Sequence, residues 1–157
     1  MALFDEFIEI AKTMNDELDI VPVCYGSLGL EKATGVGFDP QDIDILVPLV
    51  FLNEKWNLLK KTLEGLGYEL IDLHEHEFKR GNIKIGISYY EDLKSFADID
   101  YNDLRKNEYN GATYYTLTIS EYLKVYRRSV LDGYRRTKNN NKDQSKIQIL
   151  NELLQKR

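Results

Sequence analysis

The sequence predicts an α/β (α+β) fold, a mixed β-sheet flanked by helices and closed by a C-terminal helical pair. Three observations predict it. Short apolar runs bounded by Gly, Pro and Asn alternate with stretches of helical period. Helix-start signals recur after Thr118, where strand signals end. The composition, 43% apolar and 30% charged over 157 residues, is that of a globular chain and not of a disordered, collagenous or membrane-spanning one. The chain reads as one domain over 1–157, with a sheet-containing core over 1–118 and helices over 119–157.

The elements follow in order. Leu3, Phe4, Phe7, Ile8, Ala11 and Met14 recur at helical spacing and predict an amphipathic helix over 3–17. Ile20 to Tyr25 reads as a strand with Pro22 near its start. Gly26, Gly29, Gly35 and Gly37 punctuate a loop with room for one short helix. Asp42 to Val47 is a second strand, closed by Pro48. Asn53 is the expected N-cap of a helix carrying Trp56, Leu59, Leu63 and Leu66. Tyr68–Leu73 and Ile83–Ile87 read as a strand pair around the turn Arg80-Gly81-Asn82. Residues 91–112 carry no clear period and read as a polar excursion, after which Tyr114–Leu117 is a short strand. Thr118-Ile119-Ser120-Glu121 is a capping box opening a helix with Tyr122, Leu123, Tyr126 and Val130 on one side. Asn139-Asn140-Asn141 is expected to cap a last helix with an apolar stripe of Ile147, Leu150, Leu153 and Leu154.

Charge is unevenly spread. Lys124 to Lys146 holds eight Lys or Arg against two Asp, so this segment is +6 and the rest of the chain −11. Such an asymmetry suits phosphate on one side and metal on the other, although solvated helix faces produce it too. The acidic, amphipathic N-terminus is no secretory signal, no apolar run approaches the roughly 18 residues of a membrane span, and a single cysteine allows no internal disulfide. A cytoplasmic protein without membrane contact is expected, with Cys24 as core packing.

The strongest functional signal is Gly26-Ser27 after one apolar run and Asp42-Ile43-Asp44-Ile45 in the next. Carboxylates at i and i+2 of a strand share a face, and their repulsion is relieved by a cation between them. A magnesium ion takes few carboxylates plus substrate phosphates. A Gly-Ser pair at a strand end lets the backbone approach a ligand, and N–H groups there hold phosphate oxygens. The layout is that of metal-assisted phosphoryl transfer.

Tyr25-Gly26-Ser27 followed by Asp42-Ile43-Asp44-Ile45 resembles the signature of the nucleotidyltransferase superfamily with a DNA-polymerase-beta-like fold. Leu123-Lys124 on one helix and Lys142-Asp143 at the next resemble its small antibiotic-modifying members. The resemblance implies that Gly26 and Ser27 contact nucleotide phosphates and that Asp42 and Asp44 bind the catalytic metal, Mg²⁺ or Mn²⁺. It also implies that Lys124, with Arg127 or Lys142, neutralises the phosphates of a nucleoside triphosphate such as ATP. The family's third carboxylate belongs on a strand near Asn82–Ser88, where this chain offers Lys84 and Gly86. A two-residue hairpin at Gly81-Asn82 would put Arg80 opposite Ile83 and Glu77 opposite Gly86, making Glu77 the candidate third carboxylate. The same register leaves Ile71 and Leu73 on a polar face unless a bulge intervenes near His74.

Other motifs are weaker. Asp98-Ile99-Asp100 repeats the letters of the aspartate pair without a Gly-Ser strand end, and its spacing fails a calcium loop, so it reads as turn residues. His74 and His76 lack further ligands for zinc and read as strand-end residues or as a base near an acceptor. The eleven tyrosines are mostly packing, with one available to stack on a base. The expected function is transfer of a nucleoside monophosphate from a nucleoside triphosphate to a hydroxyl or amine of a small molecule, protein or RNA. The rival is a catalytically inactive module of the same fold that binds nucleotide, RNA or a protein partner. An RNA-binding accessory domain using the basic helices is a further alternative, against which the net acidity counts.

Overall fold

A computed structural model describes the backbone of residues 2–131 and 133–156, and side chains over 2–131 and 143–156. Seven strands form one mixed sheet: β1 (Val23–Tyr25), β2 (Ile43–Val47), β3 (Glu69–Asp72), β4 (Glu77–Arg80), β5 (Ile83–Tyr89), β6 (Arg105–Tyr109) and β7 (Ala112–Thr116). Their order is β3-β4-β5-β2-β1-β7-β6, with β2–β5 and β1–β7 parallel and the other neighbours antiparallel. The helices are α1 (Leu3–Leu18), α2 (Gly26–Thr34), α3 (Trp56–Gly65), α4 (Asp92–Ala97), α5 (Ile119–Leu131) and α6 (Gly133–Gln155). No helix of the described residues is long and apolar enough to cross a membrane.

Strand alternation sorts the side chains into two cores. Ile43, Ile45 and Val47 of β2, Phe78 of β4 and Ile85 and Ile87 of β5 join Phe7, Ile10 and Met14 of α1 and Leu59 and Leu63 of α3. Val23 and Leu46 face the other way, toward Leu93, Tyr122, Val125, Tyr126 and Leu150. Asp44 has the parity of Leu46 and so faces α5 and α6. Asp42 stands in a bend before β2, which starts at Ile43 and not at Asp42 as the sequence suggested; both line a cavity on that side.

Several sequence expectations need correction. The first strand begins at Val23 and not Ile20, because Pro22 has no N–H to give and the Asn15 side chain takes up the nearby backbone. Asn15 Nδ2 donates to the carbonyls of Ile20 and Thr113 at 2.8 and 3.1 Å, and its Oδ1 accepts from Thr113 N–H at 2.8 Å. Asn53 is no side-chain cap; it follows a 3-10 turn over Leu49–Leu52, its carbonyl accepts from Trp56 N–H at 3.2 Å, and α3 starts at Trp56. The partner of β5 is β4, not Tyr68–Leu73, which contributes β3 one strand further out. The excursion over 91–112 contains α4 and β6; α4 is too short to show a period, and β6 (RKNEY) is a charged edge strand without apolar alternation. Helix α6 runs through Asn139–Asn141 instead of starting there. The capping box forms as expected: Thr118 N–H donates to Glu121 Oε1 at 2.9 Å, and Glu121 N–H to Thr118 Oγ1 at 3.2 Å.

The β4–β5 hairpin has the register read from Gly81-Asn82, Arg80 opposite Ile83 and Glu77 opposite Gly86. A register shift lies between Leu70 and Asp72, and Ile71 and Leu73 stay exposed. The hairpin's tip is pinned to α1: Arg80 pairs with Glu6 and Glu9, donates to Leu66 O, and its guanidinium lies 4.5 Å from the Tyr68 ring.

Candidate active site

Chain passes from β1 into α2 at Gly26, whose φ of +62° is left-handed backbone that glycine adopts at little cost. Here β1 and β2 run antiparallel with Tyr25 opposite Asp44, so the turn lies against that aspartate. A Cβ on Gly26 would overlap Asp44 Oδ2 and stand 3.1 Å from Asp44 Cγ. On the other side Asp44 is opposite Gly86, where a Cβ would stand 3.3 Å from Asp44 Oδ1. Asp44 therefore sits in a slot cut by two absent side chains. Three residues into α2, a Cβ on Gly29 would overlap the Cys24 carbonyl oxygen and the Tyr122 hydroxyl. That hydroxyl donates to Cys24 O at 2.9 Å, fastening α5 to β1 just below the turn.

One row of cross-strand partners, Tyr25–Asp44–Gly86–Glu77, runs across β1, β2, β5 and β4. Partners share a face, so Asp44 and Glu77 look into the same space. A cavity of about 1430 Å³ opens there, lined by Gly26, Ser27, Asp42, Asp44 and Glu77, and walled by Tyr122, Val125, Tyr126 and Ser129 of α5 and Asp143 and Lys146 of α6. Lys146 Nζ donates to Ser27 Oγ at 3.0 Å and lies 4.9 Å from the Tyr126 ring centroid, joining the Gly-Ser turn to the C-terminal helices. Glu77 pairs with Lys84, Nζ to Oε2 at 3.5 Å.

The structure thus brings Gly26, Ser27, Asp42, Asp44 and Glu77 to one cavity and leaves other candidates away from it. Helix α5 turns Tyr122, Val125, Tyr126 and Ser129 inward, and Lys124 and Arg127 fall on other sides. Lys124 Nζ reaches the Asp98 carbonyl at 3.3 Å, and Arg127 donates to Asn151 Oδ1 at 3.1 Å. The side chain of Lys142 lies outside the described residues. Asp98 ends α4 in left-handed conformation, with Lys94 holding its carboxyl below the usual range, and the Asp100 carboxylate accepts from Asn102 N–H at 2.9 Å; both are turn residues. His74 and His76 sit in the β3–β4 turn, not on a strand; His74 is exposed and His76 packs edge-on to Trp56 at 5.0 Å. Burial pushes the Cys24 thiol and the Tyr122 hydroxyl well up, which keeps both neutral.

Lys146 is a cavity residue that sequence reasoning missed, and Asp143, noted only as part of Lys142-Asp143, was given no role there. Asp143, Lys146, Leu150 and Leu153 follow one another at i, i+3, i+7 and i+10, so two charged groups continue the apolar stripe of α6. A charge on a core-facing stripe was the available signal. Asp143 is fully buried, at 0% exposure.

Asp42 and Asp44 fit a divalent cation: both carboxylates line the cavity on one face, and Asp44 lies in a slot that a single Cβ would fill. Among the described residues no three His, Cys, Asp or Glu side chains converge on one metal position.

Known proteins place the fold. No protein-family model matches the chain. The uncharacterized protein YnaI of Bacillus subtilis (strain 168) is 65% identical over 154 residues, covering 98% of this chain and 99% of YnaI. ANT(2'')-Ia, solved in complex with adenylyl-2''-tobramycin, superposes with a TM-score of 0.62 at 14% identity over 98% of this chain and 90% of its own. An antigenic nucleotidyltransferase-like protein of Paracoccidioides brasiliensis superposes with a TM-score of 0.62 at 15% identity, covering 96% of this chain and 76% of its own. The architecture is the nucleotidyltransferase fold.

Proposed function

We propose, for a chain that belongs to the family of the Bacillus subtilis protein YnaI, a metal-dependent nucleotidyl transfer from a nucleoside triphosphate to an acceptor hydroxyl or amine. The observation that carries the reading is Asp44, held between Gly26, where a Cβ would overlap its carboxylate, and Gly86, where a Cβ would press on it at 3.3 Å. Bare glycine backbone on both sides of Asp44 lets a ligand come close to it at the cavity wall.

Asp42 and Asp44 would hold Mg²⁺ or Mn²⁺. Bound there, the ion would neutralise charge on the transferred phosphoryl group and orient it. The first backbone N–H groups of α2, the Ser27 hydroxyl and the Lys146 ammonium form the phosphate end of the cavity. Lys146 joins in the part that the sequence assigned to Lys124 with Arg127 or Lys142, of which Lys124 and Arg127 reach other partners. Glu77, across Gly86 from Asp44, is the third carboxylate and accepts the acceptor's proton. The acceptor oxygen or nitrogen bonds to the α-phosphorus as the α–β bridging bond breaks, and pyrophosphate departs with the electron pair. The adenylyl group in the ANT(2'')-Ia complex supports ATP as donor and a small molecule as acceptor.

A second reading, a nucleotide-binding module without catalysis, is favoured by Gly86, which stands where the resemblance expects a carboxylate. Calorimetric titration of ATP with Mg²⁺, beside a pyrophosphate-release assay across hydroxyl- and amine-bearing acceptors, tests both. Metal-dependent binding abolished by Asp44→Asn supports the shared site, and pyrophosphate release then separates enzyme from module. Absence of nucleotide binding overturns both readings.

A further inference from the structure

The two edges of the sheet differ. Strand β3 is four residues long and its register shifts between Leu70 and Asp72, an irregularity that blunts an edge against further pairing. Strand β6, Arg105-Lys106-Asn107-Glu108-Tyr109, is five residues long and pairs with β7 without a shift. Its main-chain groups alternate between β7 and the free edge. Opposite Lys106, the Tyr115 N–H turns away to donate to Pro22 O at 2.8 Å. Opposite Glu108, the Thr113 N–H and carbonyl are both bonded to the Asn15 side chain. Lys106 and Glu108 therefore aim their own N–H and carbonyl groups outward, at the side of the sheet where β6 is the last strand. Their side chains share one face, and Tyr109, whose ring lies 5.6 Å from Phe4 of α1, is on the other.

We propose that β6 pairs with β6 of a second copy of this chain, antiparallel about a two-fold axis at Asn107, so that one sheet runs through a dimer. Charge complementarity selects both the occupant and the register. With Asn107 on the axis, Lys106 of each copy stands opposite Glu108 of the other, and Arg105 opposite the Tyr109 ring, each pair made twice. Lys106 and Glu108 are the residues whose main-chain groups are aimed outward, so the oppositely charged pairs are also the pairs that exchange hydrogen bonds. Moving the axis to Lys106 or Glu108 sets like charges directly opposite and shortens the overlap. Charge guards an edge when an arriving strand meets its own sign. Here the strand run backwards reverses the sign at both positions, so its own copy meets the opposite one. The two α1 helices have room. The β7 strands would stand three strand spacings apart, about 14 Å, and α1 packs on β7, whereas helices approach to about 8–10 Å. Neither β6 nor β7 lines the cavity, so both cavities stay open in such a dimer.

The test is sedimentation equilibrium on wild type, Lys106→Glu, Glu108→Lys and the double reversal, with thermal melts to confirm folding. Wild type should dimerise with concentration, and each single variant should raise the dissociation constant by about tenfold or more. Affinity should return in the double reversal and in an equimolar mixture of the two single variants, where opposite charges meet again. Amide hydrogen exchange at Lys106 and Glu108 should slow as the dimer forms. A wild type that stays monomeric up to its solubility limit overturns the proposal. A dimer that the single variants leave equally tight, or in which those two amides exchange as fast as in the monomer, overturns it too, because the contact then lies on another surface.

Discussion

Replacing Gly26 by Ala perturbs the turn at its tightest point. An alanine held at φ +62° costs about 1–2 kcal/mol of backbone strain. Its Cβ would overlap Asp44 Oδ2 and press on Cγ at 3.1 Å, an overpacking that adds roughly 1–3 kcal/mol. Together these lower stability by about 2–5 kcal/mol, a fall in Tm on the order of 4–20 °C for a chain of this size. Thermal and urea denaturation measure it directly. A cycle with Asp44→Ala separates the two causes: removing the carboxylate should return about 1–2 kcal/mol of the cost, as coupling between touching residues does. Gly26→Ala within about 0.5 kcal/mol of wild type would refute the close approach of turn and carboxylate. Strict additivity in the cycle would reduce the effect to backbone strain alone.

Other outcomes follow from the same geometry. Gly29→Ala should destabilise by roughly 1–3 kcal/mol or more, since its Cβ meets the Cys24 carbonyl, which cannot move without β1; denaturant titration reads it. Lys146→Ala should weaken ATP binding by roughly 1–3 kcal/mol in calorimetry, whereas Lys124→Ala, away from the cavity, should leave it unchanged. Glu77→Gln should abolish transfer while keeping ATP affinity within about threefold, roughly 0.6 kcal/mol. Cys24, fully buried and with its thiol pKa raised by burial, should resist a thiol-specific reagent in the native state and react on unfolding.

What was legible in the sequence was whatever local chemistry decides. Asp44 has the face that burial of Ile43 and Ile45 imposes on β2, the Gly81-Asn82 turn fixes its own register, and Thr118 and Glu121 cap each other. These depend on neighbours within a few residues. The fate of the basic segment does not. Lys124 and Lys146 are alike as letters, and only the angle of α5 and α6 against the sheet sends one to Asp98 and the other to Ser27. Strand β6 and helix α4 were hidden for a different reason: charged, short elements carry no period, and long-range pairing with β7 and packing on α5 hold them.

The central claim is that Asp42, Asp44, Ser27 and Lys146 form one metal- and triphosphate-binding site. Its most direct test is a crystal structure of the protein with Mg²⁺ and a non-hydrolysable ATP analogue. The expected density is a metal ion bridging Asp42 and Asp44 and a triphosphate against Ser27 and Lys146. A cavity that stays empty at saturating ligand, or a nucleotide bound away from Asp44, would contradict the account.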